Sequence, residues 1–250
     1  LFAGVSVVVK AICVSVDYSD ILEMTLPTHK FFCESTLVIT APGDTKTIEV
    51  AEANGAQVHV TDAFYRKGAK FNKWSALEEG LDLIGRSGWL LIIDADIAIP
   101  EHRHPFIPVP SYLYTPHRRI KHDISDGLPE QRKWAQYKRL KNNEDFRSYF
   151  QLFHGSDQVL GAPPWHSVEM KSADNDASFQ ARWSAKKIVR PSFEVLHLGP
   201  PFTNWCGRVS KYKDGTVDPK AKEREENRDV VLRAKKIEGP LSKFRKGKLK

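Results

Sequence analysis

The stretch Trp89-Leu90-Leu91-Ile92-Ile93-Asp94-Ala95-Asp96 decides the fold. An unbroken apolar run leads straight into two acids separated by one small residue. The run has the length and composition of a strand buried on both faces of a parallel sheet. Acids at the carboxyl end of such a strand stand where open α/β sheets bind ligands. Carboxylates at alternate strand positions point to one side, which places Asp94 and Asp96 to converge on one cation. A hard divalent ion held there would neutralise a diphosphate. The pair also fits two ordinary loop acids, because a bare Asp-x-Asp is common. The apolar strand in front of it gives the motif its weight.

Upstream, Lys73 to Leu83 reads as a helix with Trp74, Leu77, Leu81 and Ile84 on one face. Val58 to Val60 is a strand ending at Thr61-Asp62. Thr45 to Asn54 is a helix with Gly55 just past its end. Thr36 to Thr40 is a strand closed by Ala41-Pro42-Gly43-Asp44. Val5 to Val16 is a Val- and Ile-rich central strand. A helix follows it, capped by Ser19 or Asp20 and irregular at its far end because of Pro27. Strand and helix thus alternate four times, which predicts an α/β fold with a mostly parallel, Rossmann-like sheet and helices on both faces. The strand ends at Asp17, Pro42, Asp62 and Asp94 then gather along one edge.

Downstream the pattern degrades. Five prolines fall between Pro100 and Pro116, which predicts loop and edge strand. Arg132 to Tyr149 is basic and aromatic. Val159 to Trp165 reads as a short strand and turn, Asp174 to Lys187 as a helix, and Ile188 to Leu198 as an apolar strand. From Lys211 the chain is highly charged, helix-like to Lys236, then Lys/Arg-rich. The expected organisation is a ligand-binding half over residues 1–100, a second half of the same domain over 101–210, and a charged helix and tail over 211–250.

Composition bounds the function. The chain has 250 residues, 41% of them hydrophobic, enough for one large domain with a real core. No apolar run approaches the roughly 18 residues of a membrane span. The start, Leu1-Phe2-Ala3-Gly4, has no basic region and is not read as a signal peptide. Cys13, Cys33 and Cys206 share no metal-type spacing, and their odd number argues against a disulfide scaffold and for a reducing compartment. A cytoplasmic location is therefore expected (the host cytoplasm for a viral chain). The net charge of +7 favours an anionic partner: a phosphorylated sugar, a nucleic acid or an anionic lipid surface.

Several segments, in order, resemble the GT-A class of nucleotide-sugar glycosyltransferases, closest to its family-2-like members. They are Val14-Ser15-Val16-Asp17-Tyr18, Thr25-Leu26-Pro27-Thr28-His29-Lys30, Leu37-Val38-Ile39-Thr40, the helix from Phe71-Asn72-Lys73-Trp74 to Leu81, and Gly88 to Ile97 with its DxD motif. Asp174-Asn175-Asp176 and His197-Leu198-Gly199 resemble two late elements of the class. The resemblance spans roughly residues 5 to 207. It implies a metal-dependent hexosyl- or pentosyltransferase, with Mn²⁺ or Mg²⁺ as cofactor and a nucleotide-diphosphate sugar, a UDP-sugar first, as donor.

The resemblance also implies roles. Asp96 is the principal metal ligand, Asp94 contacts ribose or metal-bound water, and His197 is the third ligand. Lys70, Asn72 and Lys73 lie beside base and phosphates, where Lys is a good point-charge partner. Asp17 and Asp62 fit ribose or base contacts, and equally fit helix caps or turns. Asp176, with Asp174, is the candidate base for the acceptor hydroxyl; Asp174 equally fits a helix cap.

For the acceptor, the lack of a membrane segment, the basic balance and the basic-aromatic stretch favour hydroxymethylated bases in DNA over a glycan or small molecule, with a lipid phosphate as a further alternative through the basic tail. Trp165 is a candidate stacking residue for it. Arg132, Lys133, Trp134, Tyr137 and Lys138 interleave cations with rings, the ingredients of nucleic-acid binding, and fit a solvated helix face equally well. A catalytically inactive nucleic-acid-binding relative is the non-enzymatic alternative. The oligomeric state is not legible.

Overall fold

The computed structural model describes residues 7–69, 71–102, 106–140, 149–166, 178–200 and 208–226. Four parallel strands form its centre: β1 (Val9–Val14), β2 (Ser35–Thr40), β3 (Gln57–Val60) and β4 (Trp89–Asp94). Helices α1 (Ser19–His29), α2 (Thr45–Ala53) and α3 (Lys73–Ile84) connect them in turn. The resulting order, β4-β1-β2-β3, puts every carboxyl end on one edge.

Alternation along β1 sorts the core into two layers. Val9, Ala11 and Cys13 join Ile21, Leu22 and Leu26 of α1 on one face. Ile12, with Leu37 and Ile39 of β2, meets Trp74, Leu77 and Leu81 of α3 on the other. Each fully buried Leu or Ile stabilises the fold by about 1.5–3 kcal/mol. Asp44 caps α2, its Oδ1 accepting from Thr47 N at 3.3 Å. Asn72 caps α3, accepting from Trp74 N at 3.2 Å and Ser75 N at 3.3 Å.

The second half completes the same sheet instead of building another domain. Strand β9 (Phe150–His154) pairs antiparallel with β4, and the sheet continues through β6 (Leu113–Tyr114) to β10 (Ile188–Val189). A second sheet of four strands, β5 (Ile97–Ala98), β11 (Glu194–Leu198), β7 (His117–Lys121) and β8 (Lys138–Arg139), begins directly after the turn at Ala95 and Asp96.

Four sequence expectations change here. Helix α1 runs through Pro27 to His29, because the ring removes one bond near the helix end while Leu26, Thr28 and His29 are buried. Ile188 to Leu198 is two strands in different sheets, split at Pro191. Gln158–Leu160 is a 3₁₀ turn, with turn and bend to residue 166, rather than a strand. The span from Asp174 to Lys187 is helical only at 178–180 and in the 3₁₀ turn Ala185–Lys187 among its described residues.

Gly155, at the end of β9, fixes how closely the two halves approach. Its N–H donates to Gly88 O at 2.8 Å. A Cβ on it would stand 1.9 Å from Arg86 O and 2.7 Å from Arg86 C, both backbone atoms that cannot swing away. We expect Gly155→Ala to destabilise the protein by about 3 kcal/mol, read as a melting-temperature fall of roughly 10 °C. An unchanged melting temperature would show that the β9 connection is looser than this contact requires.

Candidate active site

Strand β4 ends at Asp94, and Ala95 and Asp96 form a turn. Strand alternation therefore does not extend to Asp96, and the two carboxylates are held by different neighbours. Asp94 Oδ1 lies 3.4 Å from Lys73 Nζ at the start of α3. Asp96 Oδ2 lies 3.4 Å from His197 Nε2 on β11.

The turn is clamped from three sides. Thr25 Oγ1 of α1 donates to Ala95 O at 2.6 Å, and Thr28 Oγ1 accepts from Ile99 N at 2.9 Å. Leu198 N donates to Asp96 O at 2.8 Å. The antiparallel pairing of β5 with β11 sets His197 opposite Ile97, one residue from Asp96. Two threonines a helical turn apart thus position the acid, and a strand from the far half of the chain delivers the imidazole. Neither threonine carries a chemical signal in the sequence; their role emerges only from the packing of α1 on the turn.

Burial dominates the electrostatics. It pushes the Asp96 carboxyl up to about 7, with the Asp94 charge adding to the effect and Arg118 and Lys73 opposing it. Burial, then Arg118, pushes the His197 imidazole down to about 3. Arg118 lies on β7, two residues before Ile120, which pairs with His197. Asp96 Oδ1 is buried and has no hydrogen-bond partner among the described residues. The pair is thus a neutral imidazole beside a carboxyl that burial shifts toward its protonated form. Imidazole nitrogen and carboxylate oxygen are donor types a divalent cation takes, and a bound cation would draw the carboxyl to its ionised form. Among the described residues no three His, Cys, Asp or Glu side chains group closely enough to hold a metal. Asp96 and His197 are two neighbouring donors, and Asp94 is directed to Lys73. Two protein ligands suffice where a substrate diphosphate and water complete an octahedral shell.

The remaining candidates divide. Asp17 sits beyond β1 in a left-handed backbone, φ 60°, uncommon for a residue with a side chain. Asp44 holds it there: its Oδ2 accepts from Asp17 N at 2.8 Å and from Thr40 Oγ1 at 2.9 Å. Asp62, beyond β3, is exposed and paired with Arg66 at 2.6 Å. Asn72 is buried with its Oδ1 committed to capping α3, so the helix start explains it first. Lys70, Asp174 and Asp176 lie outside the described residues.

The stacking expectations fail on burial. Trp165 is 4% exposed, edge-on to Phe153, its Nε1 donating to Gly161 O at 3.3 Å. Trp134 is 7% exposed within the core, its Nε1 donating to Pro129 O at 3.0 Å. Neither ring is offered to an acceptor or a base. Arg132 pairs with Glu130, Lys133 lies 4.0 Å from the same acid, Tyr137 is half-buried, and Lys138 is exposed on β8. The interleaved cations and rings are therefore a solvated turn over a buried tryptophan. No helix among the described residues is long and apolar enough to cross a membrane.

No protein-family model matches the chain, and no curated protein matches it. Among solved structures it is similar to glucosyl-3-phosphoglycerate synthase from Mycobacterium tuberculosis in complex with Mn²⁺, UDP and glucosyl-3-phosphoglycerate. The identity is 15%, over 78% of this chain and 73% of that one, with a TM-score of 0.45. The same enzyme with Mn²⁺, UDP-glucose and phosphoglyceric acid gives 14% identity, 78% and 73% coverage and a TM-score of 0.46. Mannosyl-3-phosphoglycerate synthase from Rubrobacter xylanophilus gives 21% identity over 49% of this chain and 44% of that one, with a TM-score of 0.33. Similarity this distant assigns no activity, so the functional reading rests on the chain's own residues.

Proposed function

We propose that this protein is a metal-dependent glycosyltransferase of the GT-A kind, moving a sugar from a nucleotide-diphosphate donor, a UDP-sugar first, to an acceptor hydroxyl. One observation carries the reading: Asp96 and His197 meet 3.4 Å apart at the carboxyl edge of the parallel strands, where the fold binds ligands. The site's own residues divide the work. Asp96 and His197 hold Mn²⁺ or Mg²⁺, whose contribution when bound is Lewis-acid stabilisation of the leaving diphosphate. Lys73 supplies a point charge for phosphate, kept in place by Asp94. Asp94 and Asp17 face the donor's ribose side, with Asp62 at the base end. Asp176, with Asp174 beside it, is the proposed base for the acceptor hydroxyl.

The acceptor is a glycan or small-molecule hydroxyl in this reading. The case for hydroxymethylated DNA rested partly on exposed rings, and Trp134 and Trp165 are buried. The test is nucleotide release from a panel of UDP-, GDP- and CDP-sugars with Mn²⁺, with and without hydroxymethylcytosine-containing DNA. Release with at least one donor, abolished by EDTA, is the expected result. Release stimulated by the modified DNA would restore that acceptor. Full release in EDTA would remove the metal, and silence with every donor would favour an inactive binding protein.

A further inference from the structure

Residues 208–226 lie across the turn that follows β1, beside the donor edge. One fastening is deep. Arg208 is fully buried, its Nη1 and Nη2 donating to the two carboxylate oxygens of Asp20 at 2.5 and 2.9 Å. Its Nη1 also donates to Asp17 O at 3.1 Å, and its Nη2 to Lys211 O at 2.9 Å. Tyr18 and Tyr212 flank the guanidinium, with ring centroids 4.8 and 4.1 Å away. Lys213 N adds a bond to Asp20 Oδ2 at 2.7 Å.

The other fastening is shallow. Arg224, in the short helical stretch 221–226, reaches back so that its Nη2 donates to Asp17 Oδ2 at 2.7 Å. The side chains of this pair are 16% and 30% exposed. Arg224 is braced by Asp218 at 3.4 Å and by the Arg208 carbonyl at 3.0 Å. Tyr65, beyond β3, is 44% exposed. Burial, and then the Asp17 charge, holds its phenol above the ordinary value, and Arg224 opposes the shift.

We infer that residues 214–226 are a self-inhibitory latch: Arg224 occupies the Asp17 carboxylate in the free protein, and the nucleotide's ribose must displace it to bind. The inference rests on the donor reading above. The Arg208–Asp20 fastening is the hinge that keeps the strap attached, and the Arg224–Asp17 pair is the part that lets go. A bidentate pair under two aromatic rings resists water, whereas the single hydrogen bond between the partly exposed Arg224 and Asp17 side chains is the weaker fastening and the one that opens first.

The test is calorimetric titration of wild type and Arg224→Ala with UDP and Mn²⁺, alongside their melting curves. The variant is expected to bind UDP about fivefold more tightly, because the closed state no longer competes. Arg224→Lys, which keeps the charge, is expected to bind like wild type. In wild type, UDP is expected to speed amide exchange at Thr216 and residues 221–226 while Lys213 stays protected. Binding by wild type that is unchanged or weakened in Arg224→Ala overturns the latch alone. Slowed exchange with UDP would also overturn it, making the strap a wall of the pocket. No nucleotide binding by either protein overturns the donor reading, and the latch with it.

Discussion

On the proposed function, replacing Asp96 by asparagine is expected to lower sugar transfer about a thousandfold, close to 4 kcal/mol of transition-state stabilisation, while the fold holds. In that reading the carboxylate supplies half of a two-point metal seat, and His197 alone is a weak ligand for a hard ion. The fold tolerates the change because the new side chain has the same shape. Asp96 Oδ1 has no hydrogen-bond partner among the described residues, so nothing that depends on it is lost. The melting temperature should stay level or rise. Asp94→Asn is expected to cost only about tenfold, because Asp94 is more exposed and acts through Lys73. Donor turnover at saturating Mn²⁺, with a parallel melt, separates the cases. Wild-type turnover in the Asp96 variant would remove the metal seat from the mechanism.

The second large effect concerns stability. Glu78 on α3 is 5% exposed and holds the loop before residue 167. Its oxygens accept from Trp165 N at 3.1 Å, from His166 N at 2.8 Å and from His166 Nδ1 at 2.5 Å, and Arg86 Nη2 lies at 2.8 Å. The imidazole is stacked between Trp74 and Phe179, with centroids 4.2 and 4.3 Å away. Glu78→Ala strands these donors in the interior and is expected to cost about 3–5 kcal/mol, measured by denaturant unfolding.

The pH dependence follows from the same contacts. Burial raises the Glu78 carboxyl, but the His166 hydrogen bond and the charges of His166 and Arg86 outweigh it and hold the group below its ordinary value. A depressed acid contributes stability above its unfolded value of about 4.3, and that contribution is lost as pH falls through the folded value. The gap between wild type and Glu78→Ala should therefore be widest near neutrality and narrow in acid below about pH 4. A gap independent of pH would mean that packing alone accounts for it.

The first half of the chain was legible because local rules govern it. Apolar runs of strand length and a helical face at Trp74, Leu77 and Leu81 each agree with the fold around them. Asp94 and Asp96 were singled out in sequence by chemistry and position, and His197 by the resemblance to the GT-A class; the structure brings Asp96 and His197 together. What failed was non-local. Ile188 to Leu198 looks like one strand because both pieces are apolar, and nothing within it reveals that they join different sheets. Trp134 and Trp165 carried the right chemistry for stacking, but burial is decided by residues far along the chain. Arg224 read as part of the charged tail, and Arg208, just before it, was given no role. Their partners Asp20 and Asp17 lie near the opposite end of the chain, beyond any spacing argument.

The placement of β9 beside β4 has a consequence for how the protein is made. Translation delivers β4 first, and its free edge waits for a partner roughly sixty residues further on. At about 5–20 residues per second that wait lasts roughly 3–12 s. Throughout it, the most apolar strand of the molecule offers unpaired backbone groups to any neighbouring chain. The nascent chain is thus most vulnerable to aggregation in the interval before residue 154 emerges, and a chaperone bound then would shield the strand that carries the DxD acids.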